Sequence, residues 1–223
     1  MTLVDEMRIR VNGEVLVLDA TGALWWPDAA TLVLADLHFE KGSSYARHGT
    51  YLPPYDTRTT LGRVAKLQAH YRPERVIALG DSFHDRSADE RLDGYEREKL
   101  AALVSAQDWI WIAGNHDPEP PLWLGGRAVS ELAIGGLVFR HDPSMRPEPG
   151  EVAGHLHPCH TVTRRGRSLR RRCFVSDGMR LVMPAFGAYA GGLDLYDDVF
   201  ERLFPRAFLA YMLGTRRVYA VAA

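Results

Sequence analysis

The sequence predicts an α/β fold, in which strand–helix–strand units give way to a second, mostly antiparallel sheet. Three observations predict it. Runs 31–35, 75–79 and 109–113 are short, β-rich and uninterrupted, as strands buried on both faces are. Segments with helical periodicity lie between those runs. Past Pro118 the pattern changes to short strands joined by tight turns.

Taken in order, residues 7–19 alternate and turn at Asn12-Gly13, which reads as a β-hairpin. The run Thr31–Ala35 ends in Asp36-Leu37-His38, and Arg75–Leu79 ends in Gly80-Asp81-Ser82-Phe83-His84. The third run, 109–113, ends in Gly114-Asn115-His116-Asp117. Asp56 is placed to cap a helix carrying Leu61, Val64, Leu67 and Tyr71, and Asp93 with Glu96 forms a capping box before Leu100, Leu103 and Val104. Right-handed crossovers then join the strands. Later strands are expected near 132–134, 137–140, 151–153, 173–175 and 180–182. With 223 residues, 46% of them apolar, residues 1–223 read as one domain.

The formal net charge of −1 provides no global attraction to polyanions, so any such preference must be local. Cys159 and Cys173 are too few for a disulfide framework and lack zinc-ribbon spacing; they read as two buried thiols. Residues 1–11 carry Asp5 and Glu6 and no apolar leader core, and no run reaches the ~18 apolar residues of a membrane span. The expectation is a soluble, cytoplasmic protein.

The chemistry is concentrated where the strands end. Six of the nine histidines (His38, His84, His116, His141, His155 and His157) fall just past a predicted strand, beside Asp, Asn or another such His. Ligands of open α/β sheets gather outside the carboxyl ends of strands, so these positions can share one cleft. In Asp36-Leu37-His38 and His155-Leu156-His157 the polar side chains are two apart, so an extended backbone points both the same way. Gly80 lets the chain turn sharply into Asp81. Carboxylate, amide and imidazole donors without thiolate suit a divalent Mn, Fe or Zn ion rather than an Fe–S cluster or a calcium cage. The seven donors Asp36, His38, Asp81, Asn115, His141, His155 and His157 over-supply one ion. Two ions sharing Asp81, ~3.5–4 Å apart, fit better.

In this order, Asp36-x-His38, Gly80-Asp81-x-x-His84, Gly114-Asn115-His116-Asp117, His141 and Gly154-His155-x-His157 resemble the motifs of the calcineurin-like metallophosphoesterase superfamily, from about residue 31 to 157. The stretches Ala35-Asp-Leu-His-Phe-Glu-Lys41-Gly, Arg140-His-Asp-Pro143 and Met183-Pro-Ala-Phe-Gly-Ala-Tyr189 resemble one bacterial branch of it, the DNA-ligase-associated DNA damage response endonucleases of the PdeM type.

The resemblance implies a four-layer αββα sandwich, two mixed sheets flanked by helices, holding two divalent ions of the Mn²⁺ type, with Fe or Zn as alternatives. Asp36, His38 and His157 would bind one ion and Asn115, His141 and His155 the other, with Asp81 bridging. His116 would protonate the leaving oxygen or stabilise the charged phosphorane. His84 is similar to a nuclease histidine that orients substrate or leaving group. Protein serine/threonine phosphatases have Gly-Asp-x-x-Asp-Arg-Gly there, whereas in this chain Asp85-Arg86 is displaced by one residue. The implied activity is hydrolysis of DNA diesters by in-line attack of a metal-bridging hydroxide, as a single-strand endonuclease in DNA repair. A phosphatase or nucleotide diesterase is the rival enzyme, and a scaffold subunit is the non-enzymatic one. An ATP-dependent DNA ligase, an Lhr-type helicase and a β-lactamase-fold exonuclease are the implied functional neighbours.

The remaining polar residues read more plainly. His48, His70 and His160 lack a partner motif and read as structural. Asp117 and Asp142 stand beside motif residues as supports. The run Arg164-Arg165-Gly166-Arg167-Ser168-Leu169-Arg170-Arg171-Arg172 reads as a hairpin, with Arg170, Arg171 and Arg172 as candidate contacts to a phosphate backbone. Lys41, Arg47 and Arg58 are weaker candidates to flank the cleft, and the tryptophans read as core.

Overall fold

A computed structural model describes residues 6–222; Met1 to Asp5, on which part of the N-terminal reading fell, and Ala223 lie outside the described residues. The Asn12-Gly13 hairpin forms as β1 (Met7–Val11) and β2 (Glu14–Leu18). Its two turn residues have φ of 47° and 90°, the left-handed pair that a two-residue hairpin turn requires. Two strands follow, β3 (Leu24–Trp26) and β4 (Thr31–Ala35), and then β5 (Arg75–Leu79), β6 (Asp108–Ile112) and β7 (Arg127–Val129) complete a seven-stranded sheet in the order β1 to β7. Pairing is antiparallel from β1 to β4 and parallel from β4 to β7.

Period-two alternation divides the central strands between two apolar layers. Leu32, Leu34, Val76, Ala78, Trp109 and Trp111 face the helices α2 (Asp56–Tyr71) and α4 (Gly94–Ser105), meeting Leu61, Val64, Leu67, Leu100 and Val104. Val33, Ala35, Ile77, Leu79, Ile110 and Ile112 face the second sheet, where Leu137, Phe139, Val152, Phe174 and Leu181 await them. Burying side chains of this size stabilises by about 1.5–3 kcal/mol each, so this central layer is the main cohesion of the fold.

The second sheet contains β8 (Glu131–Ile134), β9 (Leu137–Arg140), β10 (Glu151–Ala153), β11 (Cys159–Arg164), β12 (Arg167–Ser176), β13 (Leu181–Val182), β14 (Leu209–Leu213) and β15 (Val218–Ala222). Its order is β15-β14-β12-β13-β10-β9-β8, with β11 paired to β12. The expected antiparallel pattern holds except at β9-β10-β13, which run parallel. Its outer face is covered by α5 (Asp198–Leu203), with Phe200, Leu203 and Phe204 on Val175, Val182, Ala210 and Met212. Helix, sheet, sheet and helix make the four expected layers, the last one thin. Cys159 and Cys173 are both buried free thiols, as expected.

Two local readings change. Asp56 opens α2 but does not cap it; its Oδ2 accepts from the Gly42 amide at 2.9 Å, in the first turn of the unanticipated helix α1 (Lys41–Arg47). A carboxylate there serves its neighbour because the orphan amides of α1 face it. Asp93 does form the full capping box of α4 with Glu96. The short helix α3 (Ala88–Arg91) was also unanticipated.

Candidate active site

The parallel strands set the site. β4, β5 and β6 end on one rim of the first sheet, and β9 and β10 end on the facing rim of the second. Residues just past Ala35, Leu79, Ile112, Arg140 and Ala153 therefore converge.

Two groups of donors face one another there: Asp36, His38 and His157, and Asp81, His141 and His155, with the ligand atoms of each group within 4.8 Å. In the first, His157 Nε2 lies 3.1 Å from Asp36 Oδ1 and 3.3 Å from His38 Nε2. In the second, His141 Nε2 lies 3.4 Å from Asp81 Oδ2 and 3.2 Å from His155 Nδ1. His141 Nδ1 stands 3.8 Å from Asp36 Oδ1, so the groups adjoin. Asn115 lies between Gly114 and His116, in the turn that wraps Asp81.

The backbone holds the carboxylates as firmly as the side chains do. The His155 amide donates to Asp36 Oδ1 and Oδ2 at 3.2 and 3.1 Å, and the His116 amide to Asp81 Oδ1 at 3.0 Å. His141 Nδ1 lies 3.1 Å from the Leu79 carbonyl, which fixes the proton there and frees Nε2 for a ligand. A Cβ on Gly80 would strike the His141 ring, and one on Gly114 would strike Asp81. The expected role of Gly80 is thus met, at φ 72°.

The expectation of extended backbone at the ligand pairs is corrected. Asp36, His38, Asp81, His155 and His157 all have positive φ, between 44° and 66°. Leu37 and Leu156 still turn into apolar layers while their neighbours face the cleft. Each left-handed non-glycine residue costs about 1–3 kcal/mol, and such strain concentrates where function demands a geometry.

The electrostatics invite cations. Asp36 and Asp81 are 0% and 3% exposed, and every ion pair the described residues give them is to a histidine ring. Burial alone would raise Asp81, but the His141 ring and the His116 amide hold it well below the usual carboxylate range. Burial lowers His141, yet Asp81 and Asp36 overcome that and raise it to about 9. A site that draws a proton so strongly onto a ring draws a divalent cation by the same field, and the cation displaces the proton. Burial pushes His38 down to about 3, leaving a neutral imidazole with a lone pair to give. The donor set fits two divalent ions.

His84 and His116 stand over the clusters. Their rings stack at 5.3 Å and 17°, and His84 Nδ1 is 3.5 Å from His38 Nδ1. His116 Nε2 is 3.8 Å from Asp81 Oδ2 while its side chain stays 47% exposed, open to a substrate. Asp117 supports the turn by accepting from the Phe83 amide at 2.9 Å, and burial raises it to about 7. Asp142 is exposed, and His48, His70 and His160 stand outside both groups.

The arginines separate. β11 and β12 form an arm whose tip, Arg165-Gly166, has φ of 51° and 74°. Arg170 and Arg171 are exposed, Arg170 resting on the Gly192 carbonyl at 2.7 Å. Arg172 turns inward, its Nη1 donating to the Ala185 and Gly187 carbonyls at 2.6 and 3.0 Å, where the strand passes from its exposed half into the buried half that begins at Cys173. Arg58 is taken up by Asp93 at 2.6 Å, and Arg47 by Ser87 at 3.1 Å.

Sequence reasoning missed the brace behind Asp36. The Phe186 and Gly187 amides donate to the Ala35 and Asp36 carbonyls, and Arg63 donates to the Phe186 carbonyl at 2.7 Å with its guanidinium over the Phe186 ring. An arginine on a helix face carries no sign of such a task.

Residues 30–172 match the family described as calcineurin-like phosphoesterase, and the chain belongs to that family. Fold and site together define a metal-dependent phosphoesterase with two candidate metal-binding groups. Among solved structures, the Pseudomonas putida nuclease MPE is 30% identical, with a TM-score of 0.77, covering 97% of this chain and all of its own. Yfce, a phosphoesterase from E. coli, is 15% identical with a TM-score of 0.44, over 86% of this chain and 98% of its own. A predicted phosphoesterase from Streptococcus pneumoniae is 12% identical with a TM-score of 0.31, over 86% of this chain and 97% of its own. No curated protein sequence matches. Among the described residues, no helix is long and apolar enough to cross a membrane.

Proposed function

We propose that the protein is a two-metal phosphodiesterase that cleaves DNA, acting on single strands as an endonuclease in DNA repair. The observation that carries the chemistry is the pair of facing donor groups with His84 and His116 above them. Asp36, His38 and His157 would hold one ion, and Asn115, His141 and His155 the other, with Asp81 serving both. When bound, the ions neutralise phosphate charge and acidify water, and Mn²⁺ is the ion we assign. The chain's own part is to fix geometry. The His116 ring, exposed beside Asp81, reaches the leaving oxygen and gives it a proton, while His84 orients the phosphate by stacking on His116 and touching His38. Support for DNA comes from the likeness to a nuclease along nearly the whole chain, and from Arg170 and Arg171 on an exposed arm rooted next to His157.

The test offers Mn²⁺-loaded protein circular single-stranded DNA, p-nitrophenyl phosphate and bis-p-nitrophenyl phosphate. The expected result is linear DNA and diester turnover, both lost in Asp81→Ala. His116→Ala should lose about 10²–10⁴-fold in kcat while retaining its metal. Monoester hydrolysis with intact circles would assign the site to a phosphatase instead.

A further inference from the structure

We infer that Tyr45 is the stacking platform for a nucleobase next to the scissile phosphate, with Lys41 beside it facing that nucleotide's phosphate; this rests on the nucleic-acid reading above. Lys41 and Tyr45 are four residues apart on α1 and therefore share one helix face. Lys41 Nζ lies 5.9 Å from the Tyr45 ring centroid. The Tyr45 ring lies 5.9 Å from that of His84, tilted by 32°, and His84 stacks on His116. The His84 and His116 rings lie equally close to His38, at 5.4 and 5.5 Å, and the Tyr45 ring adjoins that of His84.

The Tyr45 ring, like that of His116, is open to solvent. Tyr45 is 40% exposed beside His84, so part of its ring is free to meet a ligand. It is also built to stay there. α1 is tied down from below, with the Gly42 amide on Asp56 and the Glu40 amide on Thr57 Oγ1 at 2.8 Å. Arg91 spans from the Glu40 carbonyl and Ser43 Oγ to Asp85, joining α1 to the loop that carries His84. A rigid aromatic ring beside a cation is the pairing that single-strand binders use, because every base has a flat face and every nucleotide a phosphate. Recognition of this kind is indifferent to base identity. It favours nucleotide diesters over bare phosphate esters.

The test uses Mn²⁺-loaded full-length protein and two strands of equal length, oligothymidylate and a fully abasic deoxyribose-phosphate strand. The readout is the ratio of kcat/KM on the first to that on the second. Wild type and Tyr45→Phe should share a high ratio. Tyr45→Ala, and Tyr45→Leu as a variant that keeps apolar bulk, should lower it by about 5- to 150-fold, the value of one lost base–aromatic stack. Equal losses on both strands would make Tyr45 only a prop for His84 and would overturn the inference, as would an unchanged ratio. If wild type spares both strands yet hydrolyses p-nitrophenyl phosphate, the nucleic-acid reading itself falls, and a single protein shows it.

Discussion

The two ends of β10 hold buried charge in opposite ways. At its start Glu151, 1% exposed, meets the equally buried Arg180 at 2.7 Å and Arg140 at 3.4 Å, and Arg140 reaches Glu131 and Glu148 as well. Arg180 also donates to the Ser144, Arg146 and Leu203 carbonyls. Charges of both signs cancel within the protein. Past the other end, Asp36 and Asp81 have only histidine rings as ionic partners among the described residues, and the Nε2 atoms of His38 and His157 lie 3.3 Å apart. The first cluster is closed on itself; the second is completed by something added. The difference teaches that burial of charge alone does not mark a site. What marks it is a surplus of donors aimed at common points.

Substitutions separate the two clusters. The largest effect is expected at the open one, where Asp81→Ala should lower diester turnover by more than the ~10⁴-fold upper range of a lost general acid, since both proposed ions would depend on it. Without metal, thermal melting of that variant should fall less than that of the closed cluster's variant, and an equal fall would show that the open cluster is structural. At the closed cluster Arg180→Leu should do the reverse. It removes one of the two guanidinium partners of buried Glu151 and leaves Arg140 at 3.4 Å, at a cost of up to about 3–5 kcal/mol, or roughly 6–20 °C in Tm, with bound metal unchanged. Full stability in Arg180→Leu would refute the contrast.

Smaller effects sharpen it. Replacing Arg170 and Arg171 by Ser should flatten the salt dependence of single-strand binding by about 0.7 per lost contact, with bis-p-nitrophenyl phosphate turnover intact. Arg172 is left in place, since its guanidinium holds the segment behind Asp36. The smallest effect concerns Asp85. Burial would raise its pKa, but hydrogen bonds from Arg91 and Ser44 outweigh burial and hold it below the usual carboxylate range. A depressed carboxylate stabilises above its unfolded pKa of about 3.9, and that contribution fades as pH falls through and below this value. Asp85→Asn should therefore melt about 2–4 °C lower at pH 7, with the gap closing below about pH 4. A gap constant with pH would remove the charge from the explanation.

Much of this was legible in the sequence for a physical reason. The strands Thr31–Ala35 and Arg75–Leu79 were read to their ends, because each apolar run stops where a chemical residue begins. The meeting of Asp36, His38, Asp81, His141, His155 and His157 was legible because strand ends converge. What stayed hidden depended on distant contacts. β3 and β7 are short and β15 is largely exposed, so tertiary pairing rather than pattern decides them. The seven-residue α1 holds through Asp56 and Thr57, which no local signal ties to it. The left-handed backbone at Asp36, His38, Asp81, His155 and His157 could not be read either, since Asp and His are enriched there yet mostly adopt other conformations, and the closing of the cluster decides it.

The most direct test is a crystal structure of the protein soaked in Mn²⁺, read by anomalous scattering. The account predicts two peaks ~3.5–4 Å apart, one among Asp36, His38 and His157, the other among Asn115, His141 and His155, with Asp81 touching both. One peak, or peaks away from these side chains, would contradict it.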